Sequence, residues 1–247
     1  MTTQPFGAKA FACALTLALL GASPMAARAA QRSVVELYTS QGCSSCPPAD
    51  ALLEKLATDP TIIAVSLPVD YWDNLGWKDT FAKPAFSQRQ RAYSLARGDH
   101  QVYTPQAVIN GAIHANGASR HEIAAAIAET HNGLNVPLEL TREGGTVTVK
   151  LGADTAGQAS RVATILVMPV IGRREVAIGR GENARTTVAY TNIAREVISL
   201  GRWSGSAATH AVPAEALADA DSVIVILQSG SPDRPGPILA ASQVTLK

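Results

Sequence analysis

The sequence predicts an α/β domain followed by an all-β domain. Three observations carry this: a strand, a Cys-x-x-Cys pair and a helix in close succession near residue 40; an alternation of strands and helices up to about Asn135; and a series of short β-rich runs from Val136 onward. The 247 residues are 47% apolar and 17% charged, the balance of a chain that folds around a core and not of a disordered one.

The segment Val34 to Asp50 organises the first part. Val34 to Thr39 is β-branched and aromatic and reads as a strand. Ser40, Gln41 and Gly42 interrupt it, and Cys43 and Cys46 follow with two residues between them. Ala49, Leu52, Leu53 and Leu56 then fall at i, i+3, i+4 and i+7, the period of one buried helix face. Pro47 and Pro48 suit a first helical turn, where the N–H groups have no intrahelical partner. The cysteines therefore lie between a strand and a helix N-terminus. There the positive end of the helix dipole favours a thiolate, whose pKa falls to roughly 3.5–7.5 in such a setting. Three readings of the pair stand side by side: an active dithiol, a structural disulfide, or two ligands of a metal site that needs two more. Cys43, ahead of the helix, is expected to be the more exposed and the attacking sulfur, with Cys46 resolving the mixed disulfide.

Residues 1–29 read as an export signal: Lys9, an apolar run from Phe11 to Ala22, and Ala27-Arg28-Ala29 as a small-residue cleavage site. The run is about twelve residues, short of the roughly 20 that cross a bilayer, so no stable membrane span is expected once the signal is cleaved. Cys13 leaves with it. Loss of Lys9 and Arg28 takes the formal charge from +1 to −1, a balance that points away from nucleic acid as a partner. An exported chain with a single close cysteine pair suits a periplasmic or extracellular compartment in which disulfides persist.

Residues 30–135 continue with a strand at Thr61 to Ser66, a helix from Pro84 to about Arg97, strands at Gln106 to Asn110 and Ala112 to Ala115 around the Asn110-Gly111 turn, and a helix capped by Ser119 and Glu122. The order β-α-β-α-β-β-α is the minimal thioredoxin-like arrangement. Pro105, directly before the third strand, is expected to be cis and to face the dithiol with Thr104 beside it. Thioredoxins often carry a buried acid on the strand before the dithiol, and Glu36 matches that position, which implies a role in proton transfer. The alternative is an exposed strand carboxylate, with Val35 and Leu37 turned to the other face in either case. Tyr71, Trp72 and Trp77 form a candidate substrate-binding rim. No phosphate loop, dinucleotide fingerprint or nucleophile elbow is present, and no cofactor is expected.

Residues 136–247 hold β-rich runs at Leu138–Thr141, Thr146–Leu151, Arg161–Met168, Glu175–Ile178, Thr186–Tyr190, Val223–Gln228 and Ile238–Leu246, with a Pro/Gly-rich loop from Ser229 to Pro237. Such a pattern predicts an immunoglobulin-like β-sandwich that binds, docks or props its neighbour. Arg180-Gly181-Glu182-Asn183 reads as a hairpin tip. Arg97-Gly98-Asp99 reads as a helix end, and His100, His114, His121, His131 and His210 lack paired metal spacing.

The stretch Glu36 to Asp50, the run Val69-Asp70-Tyr71-Trp72-Asp73 with Leu75-Gly76-Trp77, and Val102-Tyr103-Thr104-Pro105-Gln106 together resemble the secreted bacterial family called domain of unknown function 1223. The resemblance implies a thioredoxin-like fold and leaves activity unassigned. Family members commonly carry histidine before Val-Asp-Tyr-Trp, where this chain has Pro68. The expected function is thiol–disulfide exchange on protein substrates with a redox partner. The alternatives are a binding module with a fixed bridge and a copper-handling protein using Cys43 and Cys46 as soft ligands.

Overall fold

A computed structural model of the chain describes residues 1–3, 31–154 and 162–247. Residues 4–29 of the segment read as an export signal, Cys13 among them, lie outside the described residues. In order, the first part comprises β1 (Ser33–Thr39), α1 (Pro47–Leu56), β2 (Ile62–Pro68), α2 (Pro84–Arg97), β3 (Gln106–Ile109), β4 (Ile113–Asn116) and α3 (Arg120–Thr130). The second comprises β5 (Leu138–Glu143), β6 (Thr146–Leu151), β7 (Ala163–Ile178), β8 (Thr186–Ala194), β9 (Ile198–Trp203), β10 (Ala208–Ala211), α4 (Ala214–Leu217), β11 (Ser222–Ser231) and β12 (Arg234–Thr245).

The expected thioredoxin-like domain followed by a separate sandwich is not what these elements build. Nine strands form one mixed sheet in the order β12-β11-β7-β8-β2-β1-β3-β4, with β9 also paired to β7. The junction is parallel: Ser66 of β2 stands opposite Ile193 of β8, and the Asn192 amide donates to the Ala64 carbonyl at 2.9 Å. Strands of the later residues thus extend the edge of the earlier ones instead of folding a sheet pair of their own.

The reason lies in β7. Pro169, Gly172, Arg173 and Arg174 look like a break between two short strands, yet one strand of 16 residues runs through them. Its first half pairs with β11 and β9, and its second half pairs with β8. The strand therefore joins two groups of partners that sequence patterning assigns to unrelated short runs. The predicted loop from Ser229 to Pro237 is likewise mostly paired, because β11 and β12 continue to the turn between Ser231 and Arg234.

Strand alternation sorts side chains to the two faces of the sheet. On one face α2 covers Val34, Tyr38, Ile63, Val65 and Val108 together with Leu166, Met168, Ile224 and Ile226, so one apolar cluster spans both parts. On the other face α1 and α3 cover Val35, Leu37, Ala64 and Ala107. There the small sheet β10-β6-β5 covers the far end, where Val147, Val149, Ile165, Val167, Trp203 and Val225 are buried together. Burial of this extent, at about 25 cal/mol per Å² of apolar surface, is the main force holding a cysteine-poor chain together.

Candidate functional site

Cys43 and Cys46 form a disulfide at the start of α1. Cys46 takes the N-cap position, its backbone already helical, and its carbonyl accepts the N–H of Ala49 at 2.8 Å and of Asp50 at 3.1 Å. Pro47 and Pro48 follow at the first helical positions, as their missing donors allow. Both cysteines are buried, Cys43 at 1% exposure and Cys46 at 0%, so exposure barely separates the sulfur expected to be the more exposed from its partner.

A segment distant in sequence meets the Cys43 loop. The tip between β7 and β8 reaches the cysteine loop, where the Asn183 side-chain amide donates to the carbonyls of Gln41 at 2.9 Å and of Cys43 at 2.8 Å. The Glu182 carboxylate accepts the Ser44 N–H at 3.3 Å. The predicted hairpin tip is thus a clamp on the dithiol loop. A four-residue turn motif shows that a tip exists but not where it lands.

The aromatic residues singled out from sequence stand around the same loop. Trp72 donates to the Thr104 hydroxyl at 2.9 Å, and Trp77 donates to the Gln41 side-chain carbonyl at 2.8 Å. Gly42 lets the loop pass close to Trp72: a Cβ there would come within 3.1 Å of the Trp72 Cβ, and the neighbour would have to give by a few tenths of an ångström. Tyr71 is the most exposed of the three, its hydroxyl donating to Gln90 at 3.3 Å. The Thr104–Pro105 bond is cis, as expected, and the Thr104 carbonyl accepts the Ser45 hydroxyl at 3.5 Å. Trp72, Trp77 and Thr104 therefore meet the dithiol loop directly, and cis Pro105 adjoins Thr104.

Glu36 is placed differently. It is fully buried, but on the α2 face of the sheet, whereas α1 packs on the face of Val35 and Leu37. Its carboxylate accepts Arg89 Nε at 2.8 Å and the Tyr93 hydroxyl at 2.6 Å. Arg89 also donates to Gln228 at 2.9 Å, which ties β11 into the group. Burial disfavours the charged guanidinium, yet the Glu36 carboxylate holds the Arg89 pKa above its ordinary value; burial raises the Tyr93 phenol. The acid expected to serve the cysteines is thus fully engaged on the opposite side of the sheet.

Two carboxyl groups that sequence reasoning passed over lie on the dithiol side. Asp79 accepts the N–H groups of Gln41 at 2.8 Å and of Phe81 at 2.8 Å, and burial raises its pKa. Asp50, four residues after Cys46, is 2% exposed, and both carboxyl oxygens are buried without a hydrogen bond. An acid in the first turn of a helix reads as a surface complement to the dipole. The signal against that was its i+3 relation to Leu53 and i+4 relation to Cys46, which set it on the edge of the buried stripe.

His114 is half-buried: Tyr103 bonds its Nδ1 at 2.9 Å and Asp99 stands 3.4 Å from Nε2. Among the described residues, no group of three His, Cys, Asp or Glu side chains is placed to hold a metal ion.

The sequence matches the family described as "Protein of unknown function (DUF1223)" over residues 34–228, a span that takes in the dithiol loop, the clamp and most of the sheet. The chain belongs to this family. No curated protein matches it. Among solved structures, the DUF1223 chain is similar to protein AGR_C_4864 of Agrobacterium tumefaciens, with 33% identity and a TM-score of 0.78 over 88% of this chain and 96% of that one. It also resembles HBP35 of Porphyromonas gingivalis in fold, with 14% identity and a TM-score of 0.55 over 87% of this chain and 75% of that one. Among the described residues of this DUF1223 member, no helix is long and apolar enough to cross a membrane.

Proposed function

We propose that the protein is an exported thiol–disulfide oxidoreductase whose working group is the Cys43–Cys46 pair. The observation that carries this reading is the position of the disulfide, with Cys46 as the N-cap of α1. The positive end of the helix dipole lies there and favours a thiolate in the reduced form. In the exchange, Cys43 attacks a substrate disulfide or is attacked by a substrate thiolate, and Cys46 closes on or leaves from Cys43. Thr104 and Pro105, with Trp72 and Trp77 beside the loop, form the surface against which a substrate chain lies. Substrates are thiol or disulfide proteins, and a second redox protein restores the pair. The test is reduction of insulin or oxidation of a dithiol peptide. Activity in the wild type and its loss in Cys43→Ala support the reading; equal inertness of both sinks it.

A second reading has its own observation. Both cysteines are buried, as suits a fixed bridge in a binding module. The reduction potential separates the two. Working couples lie at about −270 to −120 mV, and structural disulfides below about −300 mV.

A further inference from the structure

Asp50 stands one helical turn beyond Cys46, and residues so spaced share a helix face with Cβ atoms about 5–6 Å apart. The Asp50 N–H bonded to the Cys46 carbonyl at 3.1 Å shows that this geometry extends back to the cysteine. The groups that face the Asp50 carboxyl come from three places: Thr39 at the end of β1, Tyr190 of β8, and Asp79 of the loop before α2. None is a cation. The Thr39 hydroxyl, with no other partner, is a neutral donor that cannot balance a charge there. A buried carboxylate without a partner takes up a proton instead of staying charged. Burial accordingly sets the Asp50 pKa well above the carboxylate range, with Thr39 opposing and Asp79 reinforcing the shift. Burial thus favours the protonated form of a carboxyl that stands one helical turn from Cys46.

The geometry points to Asp50 as the acid that protonates Cys46 when the disulfide opens. This rests on the exchange reading above. A substrate thiolate attacks Cys43 Sγ, a new S–S bond forms, and the Cys43–Cys46 bond breaks with its electron pair on Cys46 Sγ. That sulfur takes the Asp50 proton and becomes a thiol, leaving a carboxylate. A second substrate thiolate then attacks the substrate sulfur of the mixed disulfide and frees Cys43 as a thiolate. The substrate dithiol is oxidised and the protein disulfide is reduced. In the reverse direction the Asp50 carboxylate removes the Cys46 proton, so that the thiolate can attack the mixed disulfide. One residue therefore serves either redox direction. Glu36 cannot, because it lies across the sheet with Arg89 and Tyr93 on its oxygens.

The experiment follows reduction of the oxidised protein by dithiothreitol across pH, with each rate constant divided by the concentration of attacking thiolate. In the wild type the corrected rate falls as pH rises through the Asp50 pKa. In Asp50→Asn it is flat and lower at acid pH by roughly 10²-fold, the lower bound for general acid catalysis. At alkaline pH the two converge. A purely structural role for Asp50 would shift both arms of the profile together. Should the Asn variant fail to fold, Asp50→Ser is read the same way. Matching profiles in wild type and variant overturn the role of Asp50 and leave the exchange reading standing. A wild-type disulfide that dithiothreitol does not reduce in the folded protein overturns the exchange reading, and the role of Asp50 with it.

Discussion

Glu36 and Asp50 are two buried carboxyl groups on opposite faces of one sheet, and their surroundings differ in kind. Glu36 has a guanidinium on one oxygen and a phenol on the other, and through Gln228 it is linked to a strand nearly 200 residues away in sequence. Asp50 has no cation among the groups that face it, and the Thr39 hydroxyl is a neutral donor beside its carboxyl. The first arrangement keeps a charge in the core by meeting its bonding capacity, which makes it a joint between the two parts of the chain. The second leaves a carboxyl to meet its burial by holding a proton. A group that must give up or take up a proton is useful beside a sulfur that does the same, whereas a carboxylate locked in an ion pair is not.

The largest expected effect tests the Glu36 side. Arg89→Ala leaves the carboxylate buried and unpaired, and should destabilise the fold by about 3–5 kcal/mol in urea unfolding. Replacing both partners, as in Glu36→Gln with Arg89→Met, should recover most of that loss, since buried pairs exchanged for uncharged groups are often near neutral. If Arg89→Ala costs less than about 1 kcal/mol, Glu36 is protonated or relaxes to water, and the contrast with Asp50 fails.

Sequence alone showed the Cys-x-x-Cys placement, the helices at Pro47 and Pro84, the cis Pro105 and the hairpin at Asn110-Gly111, because each depends on residues close together in the chain. It did not show which strands pair. β7 reads as two runs because Pro169 and Gly172 carry local break signals, and only pairing with β11, β9 and β8 holds it straight. The site was legible to the same extent. Cys43, Cys46 and Pro105 follow local rules, and Thr104, Trp72 and Trp77 do meet the dithiol loop. Glu36 was placed on a strand correctly but assigned to the wrong side, since alternation shows that neighbours diverge without showing which face receives α1. Asn183 depends on where a distant hairpin tip lands, which no local pattern encodes.

The Asp50 side is tested by stability against pH. Its folded pKa is raised, so the stabilisation from bound proton is fully present below the unfolded value of about 3.9 and is lost as pH rises through the folded value. Within that window the wild type should lose up to about 1.4 kcal/mol per pH unit relative to Asp50→Asn, whose neutral side chain does not titrate. Urea midpoints measured from acid to alkaline pH should therefore diverge in favour of the variant. Parallel curves would mean that Asp50 finds a partner, and the two carboxyl groups would no longer differ in kind.

The clamp concerns only the dithiol face, and its effect should be smaller. Asn183→Ala removes two hydrogen bonds to loop carbonyls and should cost about 1–2 kcal/mol. It should also speed reduction of the disulfide by small thiols, because Cys43 loses the group that covers its backbone. The equivalent truncation at Gln228, on the Glu36 side, should destabilise without altering the reduction rate. Equal acceleration by both variants would mean that general loosening, and not the clamp, governs access to the sulfurs.

The smallest effect comes from a third carboxylate, which completes the contrast by sign. Asp221 accepts the Gly172 N–H at 2.8 Å and also meets Lys247 and Arg174, while its side chain stays 25% exposed. The Lys247 ammonium, and then the Gly172 N–H, hold its pKa down to about 2. A lowered folded pKa contributes stability above the unfolded value of about 3.9 and loses it as pH falls through about 2, the reverse of Asp50. Exposure and salt screening keep the contribution below about 1 kcal/mol. Asp221→Asn should therefore be slightly less stable than wild type at neutral pH, and the gap should close in strong acid and shrink at high salt. Asp50→Asn should be more stable than wild type at neutral pH, with a gap that also closes in acid but resists salt, because no solvent reaches the carboxyl. If both variants moved in the same direction with pH, burial would not be what sets these carboxyl groups apart, and the protonated state of Asp50 would lose its physical basis.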